Sequence, residues 1–163
     1  MEKYEVYLAG AMEYANDGGV GWRDFVTPLL KDLDIQVFNP ASNEHGLLNK
    51  MGAGSAQEFL GYKKTDPARF LECMRAIIEY DMAAIDKLDA ILVYITKGLS
   101  GGTIGEITHA YRNLGIPVFA VLQDGVEFQD VSGWVLGCTT EIFTSFDGAF
   151  VAIVKHKELR RGL

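Results

Sequence analysis

The segment from Asp89 to Ala110 constrains the fold more than any other part of the chain. Ala90 to Ile95 is an almost wholly apolar run of β-forming residues. A strand apolar on both alternating sides needs cover on both faces, the condition of a parallel sheet between two helix layers. A loop with Gly98, Ser100, Gly101 and Gly102 follows, and Ile104, Ile107, Tyr111 and Leu114 then recur at helical spacing in a segment that starts at Thr103. Strand, glycine loop and helix form the unit that places reactive groups at the carboxyl edge of an open α/β sheet. Glu106 falls in the first turn of this predicted helix, where the macrodipole favours a carboxylate. Two readings fit it. Thr103-Ile104-Gly105-Glu106 has the form of a capping box, in which Glu106 closes the helix start. An ionised glutamate at a sheet edge also has the chemistry of a nucleophile.

The remaining elements follow from period and punctuation. Tyr4 to Leu8 predicts a first strand ending in Ala9-Gly10-Ala11, with Tyr7 near its end as either a core aromatic or a site residue. Met12 to Val20 reads as a polar loop with the composition of a cover over a site. Gly21 to Leu33 predicts a helix that buries Trp22, Phe25, Val26, Leu29 and Leu33. Ile35 to Phe38 predicts a second strand, ended by Asn39-Pro40. Ala41 to Pro67 reads as an irregular insertion, either a lid or a disordered stretch, with one short helix near Ala56 to Tyr62. Pro67 opens the next helix with Asp66 as its cap. Along that helix Phe70, Met74, Ile77, Asp81, Ile85 and Leu88 step by three and four, so Asp81 lies on the core-facing stripe. A buried carboxylate is costly without a partner, which leaves a structural hydrogen bond or a function as its reason. Arg75, one position off that stripe, reads as solvated. Ile116 to Leu122 predicts a buried strand, Val131 to Leu136 a short helix, and Glu141 to Ser145 a more exposed last strand. Asp147 would cap a final helix running to about Leu159. The expected fold is a single α/β domain over residues 1–163. Its sheet is flavodoxin-like and Rossmann-like, doubly wound, with about five mainly parallel strands and helices on both faces.

Charge and composition exclude several classes. A formal net charge of −7 argues against non-specific affinity for nucleic acid or an anionic membrane. The one basic cluster, Lys155 to Arg161, has the character of a solvated helix end. No apolar run reaches spanning length, and no signal peptide opens the sequence. Cys73 and Cys138 lack metal-ligand or CxxC spacing, and His45, His109 and His156 are scattered. Free thiols in a cytoplasmic protein with no metal are therefore expected.

With Tyr7, Asp81, Asp89 and the Gly-Glu segment in view, the chain resembles the nucleoside 2-deoxyribosyltransferase family, which includes 2′-deoxynucleoside 5′-monophosphate N-hydrolases. The resemblance rests on Tyr7-Leu8-Ala9-Gly10, on Asp81 followed after seven residues by Asp89-Ala90-Ile91-Leu92-Val93, and on Ser100-Gly101-Gly102-Thr103-Ile104-Gly105-Glu106 with Ala110. It implies that Glu106 is the nucleophile on the anomeric carbon. It implies that Asp81 is the acid that helps the base leave, and that Tyr7 orients Glu106. Gly10, Met12, Asp89, Ser100, Gly101, Gly102 and Thr140 would line the substrate. The reaction implied is retaining, through a covalent sugar–enzyme intermediate, with no cofactor. Some free-nucleoside transferases of the family carry an aspartate several residues before the nucleophile. Ser100 stands in that region here, as in the monophosphate-cleaving relatives, and a hydroxyl with backbone N–H groups at a helix start suits a phosphate. A homodimer or larger homo-oligomer with shared sites is implied as well, with Thr139 or Thr140 near the place where a partner would contribute. A non-catalytic nucleotide-binding module of the same fold is the rival reading, and a flavodoxin-like binder of another phosphate ligand is a third.

Overall fold

The computed structural model describes residues 3–13 and 15–162. Five strands form one parallel sheet in the order β2-β1-β3-β4-β5: β1 Glu5–Gly10, β2 Gln36–Phe38, β3 Ala90–Ile95, β4 Val118–Leu122 and β5 Glu141–Phe143. The chain steps from β1 outward to β2 and then back across β1 to β3. That reversal opens a crevice beyond the carboxyl ends of β1 and β3.

Helices cover both faces, as the apolar β3 run demands. On one face α4 (Pro67–Ile85), α5 (Gly101–Thr108) and the short α6 (Gly133–Gly137) pack Ile85, Ile107 and Val135 on Tyr7, Ile91 and Val93. On the other, α1 (Val20–Asp32) and α7 (Phe146–Arg161) pack Val26, Leu30, Phe150 and Ile153 on Val6, Leu8, Leu92 and Phe119. Alternation of inward residues along β1 assigns Tyr7 to the first layer and Leu8 to the second. Cys73 and Cys138 are buried free thiols. Among the described residues no helix is long and apolar enough to cross a membrane.

Three expectations change. Ala41 to Pro67 is largely helical: α2 (Pro40–Lys50) and α3 (Ala56–Thr65) fold over α4 around Leu48, Ala53, Phe59, Cys73 and Ile77. Asn39 and Ser55 cap these helices by accepting from Ala41 N and Glu58 N, a local signal outweighed in the sequence by glycines and a weak apolar period. On α1 the buried residues are Arg23, Val26 and Leu30, while Phe25 is 58% exposed. The helix is apolar over a wide arc, and its sheet-facing side contains an arginine. The last helix is capped by Ser145 and not Asp147, with Ser145 Oγ accepting from Gly148 N at 3.4 Å.

The last residues before α1, 17–19, are held in a fixed shape. Asp17 accepts from Gly19 N and Gly21 N, both at 2.8 Å, and Gly18 and Gly19 have φ of 67° and 73°. A Cβ on Gly19 would lie 2.3 Å from Ala11 O and 2.4 Å from Arg23 Nη1, whereas one on Gly18 meets nothing within 4 Å. Gly18→Ala should therefore cost about 1 kcal/mol, the strain of a left-handed alanine alone. Gly19→Ala should cost at least about 2 kcal/mol more, through the collision. Urea unfolding of the two variants checks the difference, and equal losses would contradict this description of the loop.

Candidate active site

Three elements converge at the crevice. β1 brings Tyr7 from its middle, opposite the last residue of β2, α4 brings Asp81 on its buried stripe with Cys73, Ile77 and Ile85, and α5 brings Glu106 in its second turn. The Tyr7 hydroxyl donates to Glu106 Oε1 at 2.7 Å. Asp81, 9% exposed, lies alongside the same hydroxyl. Sequence positions 7, 81 and 106 thus meet at one point of the sheet edge.

The start of α5 separates the two readings of Glu106. Ser100 is the cap: its Oγ accepts from Thr103 N at 3.3 Å and lies 3.1 Å from Thr103 Oγ1. The helix begins at Gly101, earlier than the sequence suggests, and Thr103 lies inside it, 2% exposed. Glu106 closes no capping box, so its carboxylate is free to face β1. Beyond Thr108 the helix continues as π-helical turns over His109–Leu114.

Electrostatics make this a proton-sharing cluster. Burial pushes both the Glu106 and Asp81 carboxyls above the usual carboxylate range, and each raises or is raised by another negative group: Asp81 acts on Glu106, and Glu44 acts on both. The Tyr7 hydrogen bond and the charge of Arg23 pull the other way. Burial and the two neighbouring carboxylates push the Tyr7 phenol up, so it remains a donor. Burial and mutual repulsion both disfavour ionising the two carboxyls together, so the pair favours sharing a proton. The Tyr7 O–H bond favours the ionised form at Glu106. Two carboxyls that share a proton at the crevice are an arrangement suited to nucleophilic attack with protonation of a leaving group.

The other sequence candidates divide. Ser100, Gly101 and Gly102 lie at the start of α5 on the same edge. Gly10 and Met12 follow Tyr7; a Cβ on Gly10 would sit 3.0 Å from the Trp22 ring, so glycine there admits Trp22 to the layer it shares with Tyr94 and Phe146. Asp89 is corrected. It lies at the amino edge, where Oδ2 accepts from Glu5 N at 2.7 Å and Oδ1 pairs with Arg160. Six residues of β3 separate it from the crevice by about 20 Å. Thr140 is also an amino-edge residue, with Oγ1 accepting from Val118 N at 2.9 Å. Two site neighbours escaped the sequence reading. Arg23 is hidden among the apolar residues of α1, and Glu44 lies in the stretch that reads as irregular. No group of acidic, histidine or cysteine side chains among the described residues could hold a metal ion.

The raised Asp81 carboxyl has a consequence for stability. Below about pH 4 it is protonated in folded and unfolded chains alike, and the burial penalty is absent. As pH rises toward the raised folded range, the unfolded chain releases its proton first and folding stability falls. Asp81→Asn should remove this slope, giving roughly 1–3 kcal/mol more stability than the parent at about pH 8 and no difference at about pH 4. Denaturant curves at both pH values check it; a variant less stable at the higher pH would make Asp81 a structural ion partner.

No family model and no curated protein matches the sequence. The structure does match solved ones. It is similar to a 2-deoxyribosyltransferase from the psychrotolerant bacterium Bacillus psychrosaccharolyticus, with a TM-score of 0.64 and 20% identity over 90% of each chain. It is also similar to a 2-desoxiribosyltransferase from Leishmania mexicana, with a TM-score of 0.54 and 20% identity over 94% of this chain and 98% of that one. The chain has the fold of the 2-deoxyribosyltransferases, over nearly its whole length.

Proposed function

We propose that this protein cleaves the N-glycosidic bond of 2′-deoxyribonucleosides, and by preference of their 5′-monophosphates, through a glutamyl–sugar intermediate. The observation that carries the reading is the 2.7 Å bond from Tyr7 to Glu106 at the strand-order reversal, with Asp81 beside it. Tyr7 occupies Oε1 of Glu106 and leaves Oε2 for attack on the anomeric carbon. As that bond forms, the bond from carbon to base nitrogen breaks, and its electron pair stays on the base. Asp81 supplies the proton the departing nitrogen needs. Water or a second base then attacks the same carbon, restoring the Glu106 carboxylate and returning a proton to Asp81. A homo-oligomer belongs to the same proposal, since Tyr111 and Trp134 are large and exposed on the flank that carries α5.

The test of the chemistry is Glu106→Ala. With the cap held by Ser100, the variant should stay folded and bind nucleotide while turnover drops by many powers of ten. A panel of nucleosides and monophosphates, with and without acceptor bases, reads activity, and a quenched mass spectrum of the parent enzyme should carry a sugar adduct on Glu106. Near-normal turnover in the variant would remove Glu106 as the nucleophile.

The phosphate preference follows from the start of α5. Its first N–H groups have no partner within the helix, Gly101 and Gly102 are exposed, and no carboxylate lies between Asp89 and Glu106 in the sequence. Charge-assisted bonds to a dianion are about twice as strong as neutral ones, so two or three decide specificity. Ser100→Asp keeps a capable cap and adds a negative charge, so folding should be unaffected. The expected result is a drop of about tenfold or more in kcat/KM for the monophosphate, with the free nucleoside spared. Equal specificity constants for the two substrates in the parent enzyme would sink the preference.

A further inference from the structure

Arg23 is fully buried, and among the described residues no carboxylate stands at ion-pair distance from it. Its partners are main-chain carbonyls. Nε and Nη2 donate to Leu8 O at 3.3 Å, Nη2 to Gly10 O at 3.0 Å, and Nη1 to Gly19 O at 2.7 Å. The sheet explains why those carbonyls need it. Tyr4 O accepts from Gln36 N while Glu5 O accepts from Asp89 N, so the even-numbered carbonyls of β1 face β2. β2 ends at Phe38, opposite Tyr7. Leu8 O and Gly10 O therefore project past the end of β2, and the guanidinium takes the place of the missing strand.

Neutral carbonyls solvate a cation without cancelling its charge, and a buried unneutralised cation costs several kcal/mol. The charged and titratable groups that face Arg23 are Tyr7 from β1, Asp17 from the loop after it, Glu44 from α2, Asp81 from α4 and Glu106 from α5. Trp22 on its own helix adds a ring face 4.7 Å from the guanidinium carbon. Three of these groups are the crowded carboxyls of the crevice, and Arg23 is the cation common to all three.

We propose that Arg23 is a positioning residue for the reaction, with two linked actions. Its fork completes the hydrogen-bond ladder of β1 just beyond Tyr7, and its buried charge is the cation that the Glu106, Asp81 and Glu44 carboxyls share. The second action rests on the proposed role of Glu106; the electrostatic coupling can be measured without turnover.

The experiment compares the parent enzyme with Arg23→Met and Arg23→Lys. The Glu106 carboxyl is followed by carbon NMR as pH is varied, with its signal assigned through Glu106→Gln, and the acid limb of kcat/KM is measured in parallel. Removing a nearby opposite charge raises a carboxyl midpoint, so Arg23→Met should move both the Glu106 titration and the acid limb upward by about one pH unit. The lysine variant should titrate close to the parent, since the ammonium keeps the charge, yet melt earlier, since a point donor cannot span three carbonyls. Should the methionine variant not fold, Arg23→Gln makes the same comparison while keeping donors for the carbonyls. A neutral variant that titrates like the parent, or a lysine variant that shifts as far as the neutral one, would reduce Arg23 to a structural clasp. Absence of turnover in the parent would overturn the proposed activity, while the carboxyl titration would still decide the coupling.

Discussion

The structure turns on a mismatch of strand lengths. β1 runs six residues, Glu5–Gly10, and β2 only three, Gln36–Phe38. Where β2 stops, the sheet loses its lateral cover and the crevice opens, and Tyr7 stands at that boundary, stacked on Phe38 with ring centroids 5.3 Å apart. A strand edge left bare inside a protein carries unpaired carbonyls, each with a desolvation cost of about 1–3 kcal/mol. Arg23 meets that need, and in doing so brings a full positive charge within reach of the crevice. The cation follows from the geometry of the backbone, and the carboxyls of the crevice experience it as an electrostatic fact.

Three carboxyls would ordinarily be too many for one half-buried corner. Glu44, Asp81 and Glu106 are each raised, with burial the largest cause, and each is drawn back by Arg23. A cluster with more acids than compensating charges holds protons at neutral pH, and such protons can move. The contrast with Asp89 is instructive. At the amino edge that aspartate has a backbone N–H on one oxygen and Arg160 on the other, so each oxygen has a partner. The edges of the sheet thus differ in kind: at one the acid is paired with a cation, and at the other acids are in excess.

Much of this was legible in the sequence. The apolar run Ala90 to Ile95 is strand β3, and its demand for double cover is met by α4 and α5 on one side and α1 and α7 on the other. The charge on the stripe of α4 is buried Asp81. Where the reading went astray, the missing quantity was three-dimensional. Apolar period on α1 named Phe25, Leu29 and Leu33, but which side of a broadly apolar helix faces inward was decided by the orphan carbonyls of β1, which no local pattern reveals. Glu44 lies in one of the two helices between Pro40 and Thr65, which carry few apolar residues per turn and pack those few against α4. Asp89 was drawn into the site because a motif gives order along the chain without saying which edge of the sheet a residue occupies.

The start of α5 shows how one hydroxyl frees another residue. A helix start leaves N–H groups without intrahelical partners, and a glutamate three residues after a cap is the usual side chain to return a bond there. Had Thr103 been the cap, Glu106 would have been drawn back along its own helix, away from Tyr7. Ser100 moves the cap three residues earlier, so Glu106 passes from the first turn into the second. Thr103 becomes a buried side chain bonded to the cap itself. A capping bond contributes about 1 kcal/mol, a small term in stability. Its placement decides whether Glu106 serves the helix or the crevice, because the side chain cannot do both.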